Sequence, residues 1–238
     1  MVHALSALAA IAALASTAVA APAVVEPRVS CASGVYMIVA RGTGEAVGEG
    51  KPGQVAALVA ARVPGSASVA VDYPASALRR RAANVIYPAS VTAGINDTKK
   101  KIQDYVAQCG AGSKIALIGY SQGGNVMTDL LVGGVLKPAP LDDKYHKNII
   151  AVTVFGDPTF APNQSYDYGS NAHGSGGIFS RENNAGELAK LNAMAGKLAS
   201  YCDAGDVVCA DGSDSSVHGA EVATHAQEAA DFIVARAH

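Results

Sequence analysis

KIALIGYSQGGNVMTDLLV, residues 114–132, decides the fold of this chain. An apolar run, KIALI, leads into Gly119-Tyr120-Ser121-Gln122-Gly123, and GNVMTDLLV follows with the composition of a helix. A serine in G-x-S-x-G between a strand and a helix sits on a sharp turn, with its hydroxyl lifted above the sheet and backbone N–H groups of the helix start aimed beside it. Glycines on both sides permit that turn, and no other serine in the chain has this setting. Ser121 is therefore the candidate nucleophile.

Working outward, short apolar runs at 35–40 (VYMIVA), 68–71 (SVAV) and 149–155 (IIAVTVF) are bounded by Gly, Pro or polar residues, as buried parallel strands are. Helical patterns lie between them. Residues 54–62 are Ala-rich, and Ile95, Ile102, Val106 and Cys109 repeat at helical spacing beside Lys99, Lys100 and Lys101 on a wet face. Further helices are expected at 123–133, at 186–199 (Leu188, Leu191, Ala195, Leu198) and at 220–236 (Val222, Ala226, Ala229, Ile233). This alternation predicts an α/β fold: a single doubly wound parallel sheet with helices on both faces, a flavodoxin-like three-layer sandwich with function at the carboxyl ends of the strands. The stretch 157–187, rich in Asn, Gly and Ser, reads as a long surface loop.

The 238 residues, 50% hydrophobic and 16% charged, suit one domain with a large core. A formal net charge of −2 gives no reason to expect nucleic acid or an anionic membrane as partner. Residues 1–20 carry an apolar run from Ala4 to Ala15 followed by Ala18-Val19-Ala20, the pattern of a signal peptide, so the expected organisation is a leader at 1–20 and a catalytic domain at 21–238. That leader implies a secreted, extracellular protein. Cys31, Cys109, Cys202 and Cys209 all follow it, an even number that fits two disulfides in an oxidising compartment. Three pairings are possible; Cys202 and Cys209 form the natural local pair, which leaves Cys31 with Cys109. No clustered Cys/His spacing supports a metal. Asn96 and Asn163 head N-x-S/T sequons and are glycosylation candidates after export.

A serine hydroxyl needs a base to take its proton and an acid to hold that base in the right tautomer. In this fold the order is Ser, Asp or Glu, then His, which leaves His146, His173, His218, His225 and His238. His218 sits in a Gly/Ser/Asp loop just before the last helical pattern and is the best placed; His225 falls inside that helix, and His238 is terminal. For the acid, Asp203 and Asp206 lie between Cys202 and Cys209, and Asp157 follows the strand ending at Phe155. A closed loop is a rigid place for a carboxylate and favours Asp206; spacing leaves Asp157 open.

At this point the chain resembles the cutinases and acetylxylan esterases, small secreted α/β-hydrolases without a lid. The likeness rests on Cys31 followed by ARGTGE at 40–45, YPA at 73–75, the spacing of Tyr87, Ser90 and Gly94, GYSQGG at 119–124, FGDP at 155–158 and CDAGDVVC at 202–209 before His218. It implies Ser121, Asp206 and His218 as a catalytic triad, bridges Cys31–Cys109 and Cys202–Cys209, an oxyanion hole from the backbone N–H groups of Thr43 and Gln122, and a structural Asp157. An acyl-enzyme ester hydrolysis follows, with no metal or organic cofactor required. The polar stretches around His218 and at 163–176 suit a short acyl group on a hydrated polysaccharide, and SYDYG and GIFSREN resemble the acetylxylan esterase branch. The extra cysteines common in that branch are absent, and Gly44 and His225 depart from the family pattern. The partners expected are an acetylated plant polysaccharide or, alternatively, a cutin-type polyester, with no stable membrane association and a monomeric state. A reading of another class is a non-catalytic secreted binding relative, for which Arg79-Arg80-Arg81 would be a polyanion site; a solvated turn is the simpler account of those arginines.

Overall fold

The structure is a computed structural model, and it describes residues 30–77, 83–134 and 136–238. The leader at 1–20 and Arg79–Arg81 lie outside the described residues. In chain order the elements are β1 (Tyr36–Ala40), α1 (Gly53–Arg62), β2 (Ala67–Ala70), α2 (Ala83–Cys109), β3 (Ile115–Tyr120), α3 (Gln122–Val132), β4 (Ile149–Phe155), β5 (Asp167–Tyr168), α4 (Ala185–Ala193), β6 (Leu198–Tyr201) and α5 (Ser215–Val234). The strands form one sheet in the order β2-β1-β3-β4-β6-β5, parallel throughout, with Ile38 beside Leu117, Leu117 beside Val152 and Val152 beside Leu198.

Strand alternation divides the core into two layers. Ile115 and Leu117 of β3 point to one face, where Ile95 and Ile102 of α2 and Val126, Met127 and Leu130 of α3 cover them. Ala116 and Ile118 point to the other, against Val55 and Val59 of α1 and Val222, Ala226 and Ile233 of α5. Every residue of β1 and β3 is buried, which is why these strands read as continuous apolar runs in the sequence. Each large aliphatic side chain so buried contributes about 1.5–3 kcal/mol relative to exposure. The order reverses between β1 and β3, and the crevice at such a switch point, outside the carboxyl ends of the strands, is where this topology places ligands.

Three elements differ from expectation. The helix expected over 186–199 ends at Ala193; after a short 3-10 turn at Ala195–Lys197, Leu198–Tyr201 forms β6, all four residues buried. Leu198 keeps helical spacing with Leu191, but pairing of Leu198 to Tyr201 with Val152 to Phe155 decides its conformation. The last helix starts at Ser215, with the Asp214 side chain accepting the Ser216 N–H, so His218 lies in its first turn and not in a preceding loop. The stretch 157–187 is no loose surface loop: it contributes edge strand β5 and buries Arg181, whose guanidinium donates to Asp129 and Thr128 of α3 and, at 3.0 Å, to Glu187 of α4.

Cys31 pairs with Cys109 and Cys202 with Cys209. On chain-entropy grounds the first, with a separation of 78, removes about 4–5 kcal/mol of unfolded-state freedom and the second, with a separation of 7, about 2–3 kcal/mol. Asn163 is exposed, whereas Asn96 is exposed on a helix whose Thr98 is buried.

Candidate active site

The turn from β3 into α3 is built by close approach. A Cβ on Gly123 would lie 2.1 Å from the Ala40 carbonyl oxygen, and one on Gly119 would lie 2.3 Å from the Gly123 carbonyl oxygen, so neither position accepts a side chain. Between them Ser121 holds φ 54° and ψ −118°, a strained conformation for a non-glycine residue, with its N–H donating to the Phe155 carbonyl at 2.8 Å. Ser121 is buried but for 8% of its surface.

Ser121 Oγ lies 2.9 Å from His218 Nε2, and His218 Nδ1 lies 2.8 Å from Asp206 Oδ2. The other oxygen of Asp206 accepts the backbone N–H groups of Val208 at 2.6 Å and Cys209 at 3.0 Å, so the short Cys202–Cys209 loop points the carboxylate at the imidazole. Burial by itself would raise the Asp206 pKa; the hydrogen bonds from His218, Cys209 and Val208 outweigh it and hold the carboxyl below its ordinary value. The His218 ring stacks on Tyr120, with centroids 5.1 Å apart, and the Tyr120 hydroxyl donates to the His218 carbonyl at 3.0 Å.

The competing acids are placed elsewhere. Asp157 is buried and turned toward α3, accepting from Thr128 Oγ1 at 2.7 Å and from the Thr159 N–H at 2.8 Å. Asp203 accepts the Ser170 N–H at 2.8 Å and pairs with His225 Nε2 at 2.9 Å, while the His225 ring stacks on Tyr201. His173 contacts Asn163 and His146 faces Asp143, both remote in the chain from the elbow.

Thr43 and Gln122 flank the switch-point crevice, the first after β1 and the second at the start of α3. Neither backbone N–H donates to a protein group among the described residues. The Gln122 side chain ties the two together, its Nε2 donating to Thr43 Oγ1 at 3.3 Å and to the Ser76 carbonyl at 2.9 Å, with Ser90 Oγ donating to its Oε1 at 2.8 Å. The Thr43 loop is braced from below. The Glu45 carboxylate accepts the Gly42 N–H at 2.6 Å, Arg41 donates to the Glu45 and Tyr73 carbonyls at 3.0 and 2.7 Å, and the Tyr73 hydroxyl returns a bond to the Arg41 carbonyl. The ARGTGE, YPA and Tyr87–Gly94 segments thus converge on one loop. Backbone N–H groups without a protein acceptor are the kind of donor that stabilises a developing oxyanion.

One contributor escaped the reading of the chain. Gly156, at φ 57°, closes β4, and a Cβ there would meet His218 Cε1 at 2.7 Å and Nδ1 at 2.8 Å. Its signal is the G of FGDP, visible in the sequence without a stated role. Gly156→Ala is expected to push the imidazole away from Ser121 and lower kcat about a hundredfold, because a misplacement of about 1 Å is enough for that loss. The check is ester hydrolysis alongside thermal unfolding; a folded variant with kcat within twofold of wild type would refute the role.

A cavity of about 540 Å³ opens beside α3, with Tyr87, Val91, Asn125, Phe179 and Arg181 in its wall. Among the described residues, Asp203, Glu221 and His225 bring ligand-type atoms within 4.8 Å of one another; Cys202 and Cys209 beside Glu221 are held in their disulfide. No helix among the described residues is long and apolar enough to cross a membrane.

The chain as a whole is similar to known proteins. A family model described as Cutinase matches residues 31–237. Acetylxylan esterase 2 of Talaromyces purpureogenus is 32% identical over 217 residues, covering 88% of each chain. Cutinase 11 of Verticillium dahliae is 28% identical over 213 residues, 87% of this chain and 69% of that protein. The solved catalytic core domain of acetyl xylan esterase from Trichoderma reesei superposes with a TM-score of 0.75 at 27% identity, covering 87% of this chain and all of that one (100%).

Proposed function

This chain belongs to the cutinase family and is a carboxylic ester hydrolase, and on that premise we propose that Ser121, His218 and Asp206 are its catalytic triad, acting on short acyl esters, acetyl above all, of plant cell-wall polysaccharide. The observation that carries the triad is the unbroken line of hydrogen bonds, 2.9 Å then 2.8 Å, from a serine on a strained elbow to a buried carboxylate.

In the first half-reaction His218 Nε2 takes the Ser121 proton as Oγ attacks the ester carbonyl. The carbonyl oxygen becomes an oxyanion that accepts hydrogen bonds from the Thr43 and Gln122 N–H groups, and Asp206 stabilises the imidazolium. Collapse breaks the bond to the alcohol oxygen, which leaves with the proton from His218, and the acyl group remains on Ser121. Water then attacks the acyl-enzyme with His218 again as base, and the carboxylic acid departs.

The acetyl preference draws support from the rim and from the relatives. Asp211, Ser213, Asp214, Ser215 and Ser216, which lead into His218, are all exposed, a polar border suited to a hydrated glycan. The 32% identical relative is named for acetylxylan. A second reading, hydrolysis of a cutin-type polyester, is favoured by Val47, Ile178 and Phe179, large apolar side chains left 87%, 50% and 44% exposed near the Thr43 loop and the Asp206 loop. Export completes the proposal: the leader-like 1–20 segment and two disulfides support a secreted protein, with exposed Asn163 as a sequon open to glycosylation.

The deciding experiment compares p-nitrophenyl acetate, butyrate and palmitate with acetylated xylan. Acetate is expected to be preferred and acetic acid to be released from xylan. Preference for butyrate and longer chains with xylan untouched would replace this reading with the polyester one.

A further inference from the structure

Behind the Asp206 carboxylate lies a second carboxyl group that the mechanism above does not use. Glu221 is on α5, one turn beyond His218, and is fully buried at 0% exposure. Its Oε1 accepts the Asp203 N–H at 2.8 Å and lies 3.7 Å from Cys209 Sγ, its Oε2 has no donor among the described residues, and the same Cys209 donates its N–H to Asp206 at 3.0 Å, so the disulfide loop holds both carboxyl groups. Two carboxyl groups crowded into one buried site disfavour a second negative charge, so one of them holds its proton. Asp206 already accepts from His218, Val208 and Cys209, which favours its charged form, whereas Glu221 has a single donor.

We propose that Glu221 is a positioning residue of the reaction, keeping its proton and donating it in a hydrogen bond to the Asp206 carboxylate, so that this carboxylate stays aligned with His218. The inference rests on the triad reading and adds a fourth member to it. The donor also spreads the negative charge of Asp206 without transferring a proton during turnover.

The surroundings favour the neutral acid. Asp203 and Asp206 face Glu221 from the loop after β6, His225 from the next turn of α5 is engaged by Asp203, and the Cys202–Cys209 disulfide closes one side. Helix α1, packed along α5, brings only Arg62, which pairs with Asp231 three turns away. No ion pair reaches Glu221 among the described residues. Burial, and then the neighbouring Asp206 and Asp203 carboxylates against the Asp203 N–H, push the Glu221 pKa up to about 9. Between the ordinary glutamate value of 4.5 and about 9 the folded chain binds this proton and the unfolded chain does not. The contribution of Glu221 to stability is therefore full below the lower value and declines as pH rises to the upper one.

The test compares wild type, E221Q, E221L and Ser121→Ala across pH 6–10. Wild type is expected to lose kcat/KM through an alkaline limb near pH 9, as ionised Glu221 repels Asp206. E221Q keeps an N–H donor that does not titrate, so it loses that limb. E221L has no donor and is expected to lower kcat about tenfold with KM little changed, and E221Q to recover most of that loss. An alkaline limb unchanged in E221Q, or E221L equal to E221Q throughout, overturns the role of Glu221. In wild-type protein carrying carboxyl-13C glutamate, one glutamate carbon is expected to titrate above pH 7, and its absence overturns the proposal even if the variants fail to fold. Activity surviving in Ser121→Ala would instead overturn the triad reading, which keeps the two failures distinct.

Discussion

Ser121→Ala is expected to lower kcat by about six orders of magnitude on every ester the wild type cleaves. On the proposed mechanism the substitution removes the atom that forms the acyl-enzyme. The remaining machinery, Thr43 and Gln122 N–H groups and a bound substrate, leaves a residual of about 10³–10⁴ over water. Stability should hardly change, since the Ser121 hydroxyl bonds only His218 while the backbone strain at φ 54° is the same for Ala. Hydrolysis of p-nitrophenyl acetate, labelling by an organophosphate and a thermal melt together test this. A folded variant that still hydrolyses or takes the label would assign the nucleophile elsewhere.

Asp206→Asn should cost about four orders of magnitude, more than any other change that leaves the nucleophile and base in place. The side chain has fixed demands on both ends. Val208 and Cys209 present N–H donors to one oxygen, so the Asn carbonyl must occupy that position and its NH2 must face His218 Nδ1. An imidazole that accepts at Nδ1 carries its proton on Nε2 and cannot take the one on Ser121. A variant within a hundredfold of wild type would mean that another carboxylate orients His218. Acid stability offers a separate readout. The Asp206 carboxyl is held below its ordinary value, so the stability it contributes is present above the unfolded pKa and is lost as pH falls through the folded one. Asp206→Asn should lack that component of acid unfolding.

The strands that carry the site were legible because each is buried on both faces. Continuous apolar runs at 35–40, 114–119 and 149–155 admit few other readings when bounded by turn residues. Strand β6 was not, because Leu198 continues the helical spacing of Leu191 and only three residues follow it before Cys202. The two residues of β5 carry no periodic signal of their own. Arg181 illustrates the same limit, since an arginine in a polar stretch reads as solvated until its partners Asp129, 52 residues earlier, and Glu187 are seen around it.

The sequence by itself pointed to the candidate nucleophile, the buried strands and the short list of candidate partners. Those follow from local chain physics: a serine between two glycines at a strand end, apolar runs, and a histidine near the last helix. The closed loop and the family resemblance favoured Asp206, and the tertiary structure shows how differently the three candidate acids are placed. Asp157, Asp203 and Asp206 all follow the carboxyl ends of the neighbouring strands β4 and β6, so spacing ranks them nearly alike. What separates them is direction. Thr128 and Thr159 draw Asp157 toward α3, His225 draws Asp203 aside, and two N–H groups of the disulfide loop turn Asp206 onto His218. The space His218 needs at Gly156 and the buried carboxyl of Glu221 behind Asp206 arise the same way, from residues distant in the chain meeting where parallel strands end.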